Sequence, residues 1–148
     1  MSESITVATI PHRPPFLFVD EIVELTSDRI VTTTLADPDA DFFRGHYPNE
    51  PVMPGVLICE CCFQAGALLI AKRLGGFDPA NGVPVLTRIQ DARFKRIVRP
   101  GQTLRVEVSL DDELDRAFFL TGRVTVDGKA VVRVKFACMQ AVTEDAPA

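Results

Sequence analysis

From Gly55 to Ala71 the chain is apolar at nearly every position, broken only by Glu60 and Gln64. Downstream the pattern changes to alternation of apolar and polar residues. The first pattern predicts a helix wrapped on most sides; the second predicts strands with one buried face. Pro54 suits a first helical position and Gly75-Gly76 suits a stop, so the helix runs from about Pro54 to Leu74, roughly 30 Å at 1.5 Å per residue. Strands are predicted at Phe16–Leu25, Arg29–Ala36, Val85–Val98, Thr103–Asp112, Arg116–Val126 and Lys129–Val142, with a type I′ hairpin at Asp127-Gly128. Between the second strand and the helix lies a long connection, Asp37–Pro51, rich in Asp, Pro, Gly and Asn; loops of that length in compact domains usually carry function. One apolar helix with six strands is an α+β pattern in which a mostly antiparallel sheet curls around the helix. Residues 1–148 read as one domain, ordered over about 5–142, with a flexible tail at 143–148.

Composition narrows the function. At 148 residues and 16.3 kDa, with 47% hydrophobic and 24% charged residues, the chain has the make-up of a globular protein. A net charge of −4 and a pI near 5.1 argue against general nucleic-acid binding. The opening MSESITVATIPHRPP lacks the pattern of a signal peptide, and the apolar run is short for a membrane span and carries a carboxylate at its middle. A cytoplasmic protein without membrane association is the expectation. Cys59, Cys61 and Cys62 share one helical stretch, with Cys138 far away. Cys59 and Cys62 form a CxxC inside the helix rather than at its start, and no further ligand lies at metal spacing, so the thiols read as small buried hydrophobes.

The candidate chemistry starts with His46, one of two histidines, in the Gly/Pro-rich connection, and Glu60 in the apolar helix. Imidazole serves as a base near neutral pH, and a carboxyl held in apolar surroundings tends to stay protonated and serve as an acid. A lone loop histidine is more often a turn residue, and a buried acid is more often half of an ion pair. Here, however, no basic residue lies within four helical positions of Glu60. Val56, Glu60 and Gln64 are four apart and share a helix face. A second signal is charge: residues 88–105 hold Arg88, Arg93, Lys95, Arg96, Arg99 and Arg105 against Asp91 alone, a local net of +5. A solvated strand face is the ordinary reading, and a docking strip for an acidic partner is the functional one.

Four blocks, PHRPPFLFVDEI (11–22), GHYPNEPVMPGVLICE (45–60), QAG (64–66) and ARFKRIVRPGQTL (92–104), resemble in order the signature blocks of the FabZ-type 3-hydroxyacyl-[acyl-carrier-protein] dehydratases, over about residues 8–142. The resemblance implies the hot-dog fold and conversion of a (3R)-3-hydroxyacyl thioester to the trans-2-enoyl thioester in fatty acid biosynthesis. It implies His46 as base and Glu60 as acid, with Gly55, Val56 and Gln64 at the substrate. Arg93, Lys95, Arg96 and Arg99 would meet the acyl carrier protein, whose phosphopantetheine arm delivers the acyl chain. No cofactor and no metal are implied, since the elimination involves no net redox change. A homodimer, or a trimer of dimers, would bring His46 of one chain to Glu60 of the other. His12 matches a family position of structural rather than catalytic character. Pro14, Cys61-Cys62-Phe63 and Leu86 depart from the residues common in the family and put acyl-chain length in question. Two alternatives remain. A FabA-type bifunctional dehydratase/isomerase typically carries Asp at the acid position, and a non-catalytic acyl-thioester-binding hot-dog protein has no use for His46 and Glu60 together.

Overall fold

The computed structural model describes residues 4–78, 80 and 82–141; the tail expected to be flexible lies outside them. The elements are a 3-10 turn at Val7–Thr9, β1 (Glu21–Leu25), β2 (Arg29–Leu35), α1 (Asp41–Arg44), α2 (Gly55–Leu74), β3 (Val83–Phe94), β4 (Thr103–Leu114), β5 (Ala117–Val126) and β6 (Lys129–Ala141). The six strands form one antiparallel sheet in the order β1-β2-β4-β5-β6-β3. Helix α2 packs against strands β2 to β6, so the long apolar helix is the core of the fold, as its composition requires. By length and composition alone α2 also passes as a membrane span. Two-thirds of that stretch is instead buried by its own chain.

The sheet's inner face is read directly from alternation: Leu104, Val106 and Val108 of β4, Leu120 and Val124 of β5, and Val132, Val134 and Phe136 of β6 are all buried. Close approach of helix to sheet depends on small residues. A Cβ on Gly122 of β5 would stand 2.7 Å from the Cys62 sulfur, so this thiol sits on bare strand backbone. A Cβ on Gly66 would likewise meet the Phe136 ring at 2.9 Å, while Phe63 packs edge-on to that ring with centroids 4.9 Å apart. All four cysteines are unpaired and buried. At the helix end Gly75 takes φ 73°, and the Gly76 amide closes back on the Ala71 carbonyl at 2.9 Å. Asp127 and Gly128 both have positive φ, as the I′ hairpin demands.

Most strand limits shift by one or two residues, and three features depart further from expectation. The first strand begins at Glu21, not Phe16, because the Phe16 carbonyl and Phe18 amide are bonded to the Gln64 side chain and the Phe18 carbonyl accepts from the Thr34 hydroxyl. Those groups are therefore lost to a strand ladder. The connection Asp37–Pro51 contains a helical turn, α1, closed by an Arg44–Asp41 pair at 2.5 Å and seated by buried Phe43. Strand β3 stops at Phe94 instead of Val98, after two register shifts, one of which includes Asp91 at φ 50°.

Candidate active site

Glu60 projects from the second turn of α2 into a cavity of about 300 Å³ whose walls include His12, Phe16, Phe63, Leu86 and Cys138. Its side chain is one-fifth exposed. Burial raises its pKa above the ordinary carboxyl value, opposed by a hydrogen bond from Gln64 and by His12. Gln64, one turn further into the core, is fully buried. Its Nε2 donates to Glu60 Oε2 at 3.0 Å and to the Phe16 carbonyl at 2.9 Å, and its Oε1 accepts from the Phe18 amide at 2.7 Å. Gln64 thus holds the acid and the N-terminal wall of the cavity together.

His46 lies just beyond the N-terminal end of α2, half-buried, with Nδ1 2.9 Å from the Val52 carbonyl and its ring edge-on to Tyr47 at 4.6 Å. A carbonyl only accepts, so Nδ1 carries a proton, and in the neutral ring Nε2 keeps the free lone pair. That is the tautomer a base requires. Within one chain no hydrogen bond or ion pair joins His46 to Glu60, and His46 is not part of the wall around Glu60. The histidine that does approach Glu60 is His12, with Nε2 3.8 Å from Oε2. Sequence reasoning set His12 aside; the only available signal was its place in PHRPPF, and its approach depends on the docking of that loop by Gln64.

Gly55 and Val56 occupy the first two positions of α2, where backbone amides have no carbonyl one turn behind them. A Cβ on Gly55 would collide with Phe94 at 2.7 Å, so the bare residue lets the helix start lie against the end of β3. The Val56 side chain is 73% exposed, so the face shared with Glu60 and Gln64 runs from surface to core.

The basic residues divide. Arg88 and Arg93 lie on the edge strand β3 and Lys95, Arg96 and Arg99 follow it, all exposed, whereas Arg105 sits on β4 in mid-sheet and pairs with Glu107 at 3.4 Å. The expected single strip is therefore shorter in one direction. It is wider in another, since Arg93 faces Arg133 on β6, which faces Arg123 on β5. Arg93 pairs with Asp91 and Arg99 with Glu50, while Lys95 and Arg96 have no acidic partner among the described residues.

Comparison with solved structures places this architecture among hot-dog proteins. A dehydratase heterocomplex, ApeI:P from Xenorhabdus doucetiae, superposes with a TM-score of 0.80 at 14% identity, covering 97% of this chain and 95% of that one. A hypothetical thioesterase with coenzyme A from Streptococcus pneumoniae gives 0.65 at 13% identity, covering 82% and 85%. Sequence is more discriminating. Residues 10–135 match the FabA-like domain. Among relatives, the 3-hydroxyacyl-[acyl-carrier-protein] dehydratase FabZ of Anaeromyxobacter dehalogenans is 40% identical over 136 residues, covering 91% of this chain and 87% of the relative. That of Solibacter usitatus is 39% identical over 143 residues, covering 95% and 85%. The chain belongs to the FabA-like family and, within it, to the FabZ-type dehydratases.

Proposed function

We propose that His46 and Glu60 carry the dehydration of a (3R)-3-hydroxyacyl thioester, delivered on acyl carrier protein, to the trans-2-enoyl thioester. The observation that carries this assignment is the pairing of a histidine fixed as the Nδ1–H tautomer with a carboxyl whose acid form is favoured by burial. His46 Nε2 takes the C2 proton, and the negative charge growing on the thioester oxygen is met by the amide of Gly55 or Val56 at the positive end of α2. Glu60 gives its proton to the departing C3 hydroxyl. Gln64 reaches the substrate through Glu60, which it holds, because both of its N–H groups are already bonded within the chain.

The separation of His46 from Glu60 in one chain supports a homodimer in which each site takes one group from each subunit. The long edge strand β3 favours this, with Leu86, Ile89 and Phe94 exposed along it and Ile97 just beyond. His46→Ala and Glu60→Gln should each be nearly inactive in ultraviolet assays of enoyl thioester formation. Co-expressed, they form mixed dimers in which one site has lost both groups and the other is intact, so random mixing restores about one quarter of all sites. Recovery toward that level is the expected result. No recovery in a sample shown by mass spectrometry to contain mixed dimers would place both groups of each site in a single chain.

A further inference from the structure

Two side chains converge on one oxygen of Glu60. The first is Gln64, whose orientation is unambiguous: the Phe18 amide donates to Oε1, so Nε2 is the amide nitrogen, and its two hydrogens go to the Phe16 carbonyl and Glu60 Oε2. Oε2 is therefore an acceptor, which favours Oε1 as the oxygen that carries the proton when Glu60 is in its acid form. The second is His12. Its ring lines the same cavity, stacks on Phe16 with centroids 6.4 Å apart, and directs Nε2 at Oε2 from 3.8 Å. The loop that carries it is held by Arg13, whose guanidinium donates to the Ile10 and His12 carbonyls at 2.6 and 2.7 Å.

The other nitrogen decides the state of the ring. Among the described residues His12 Nδ1 is buried with no hydrogen-bond partner. A proton there would be an unpaired buried N–H, whereas a proton on Nε2 leaves Nδ1 only an unused lone pair. We infer that His12 is a positioning residue for Glu60, a neutral Nε2–H donor that joins Gln64 on Oε2, keeps the acidic proton on Oε1 and stabilises the carboxylate left after catalysis. The separation of 3.8 Å exceeds a hydrogen bond in the resting chain, and such contacts commonly tighten when substrate seats. In the step concerned the C2–H electron pair becomes the C2–C3 double bond and its proton passes to His46. The C3–O bond breaks with its pair on oxygen, which takes the Oε1 proton to leave as water. Glu60 ends the step anionic, and this is the form that the two donors favour. Among the described residues of the same chain, Glu60 also acts on the thiols of Cys61 on α2 and Cys138 on β6, which burial pushes up to about 12, so both stay neutral across an assay range.

The inference rests on Glu60 as the acid, and its test separates the two. Turnover of a short pantetheine-linked 3-hydroxyacyl thioester is followed against pH in wild type, His12→Phe, His12→Gln and Glu60→Gln. His12→Phe keeps a ring beside Phe16 and removes the donor. It should lower kcat about tenfold with KM little changed, as expected for losing a hydrogen bond to a charged group. It should also move the alkaline limb of kcat upward, because the carboxylate has lost a donor. His12→Gln supplies a neutral N–H and should return the limb to its wild-type position. A folded His12→Phe enzyme with an unmoved limb, or His12→Gln displaced as far as His12→Phe, overturns the proposal. Nitrogen-15 NMR of histidine-labelled wild type, which has only two histidines, decides it independently of how the variants fold. His12 protonated on Nε2 alone supports the proposal, and a proton on Nδ1 overturns it. Full activity in Glu60→Gln would instead remove the acid assignment itself.

Discussion

Glu60 shows how a single side chain is governed by its surroundings. Burial lifts its pKa, so the folded chain holds the proton more tightly than the unfolded chain does. The stabilising contribution is fully present below the ordinary glutamate value of about 4.3 and is lost as pH rises through the folded value. Glu60→Gln has no such titration. The variant should therefore gain stability relative to wild type as pH rises from about 4 toward neutrality, even as activity disappears. Thermal melts of both proteins across that range test this, and a constant offset would mean that burial is not what sets the proton affinity. The acid residue itself was legible in the sequence as a carboxylate in an apolar run. Gln64 was legible as its neighbour four positions on, but the bonds of Gln64 to Phe16 and Phe18, 48 and 46 positions away, and the arrival of His12 with that loop were not.

At the scale of elements, α2 meets β5 through a match of shapes rather than through hydrophobicity alone. Cys62 is seated on the bare backbone of Gly122, with the Val134 methyl closing the other side at 3.4 Å from where a Cβ would lie. Gly122→Ala should cost about 1–3 kcal/mol by overpacking, since the nearest atoms belong to a helix that is pinned along its length. Urea unfolding should show a lower midpoint with an unchanged slope, and an unaltered midpoint would show that helix and sheet can separate cheaply. Helix, hairpin and most strand limits could be read from periodicity, caps and the Asp127-Gly128 pair. The start of β1 could not, because side chains from elsewhere capture its preceding backbone groups.

Across the whole molecule the charge distribution is reorganised by folding. Sheet pairing removes Arg105 from the basic strip and sets Arg133 and Arg123 in line with Arg93. Under the proposed carrier role, the unpaired Lys95 and Arg96 give the cleanest test. Reversing both to Glu should raise KM for carrier-linked substrate, most at low salt, and leave a short pantetheine-linked substrate nearly untouched. Equal damage to both substrates would assign these residues to folding. Steady-state kinetics at two ionic strengths distinguishes the outcomes.

By itself the sequence determined the apolar helix, the α+β class, the hairpin, and the two residue types, an imidazole in a loop and a carboxyl in the core, that elimination chemistry needs. These are local properties, set by periodicity, capping and the polarity of neighbours along the chain. Only the tertiary structure decided which oxygen of Glu60 is bonded, which nitrogen of His46 is free, which histidine stands beside the acid, and which basic residues share a surface. The last two depend on the docking of segments remote in sequence, and the Gln64 side chain that bonds Glu60 is itself oriented by Phe16 and Phe18 tens of positions away. The His46–Val52 bond is local, but it forms only in the folded path of its loop.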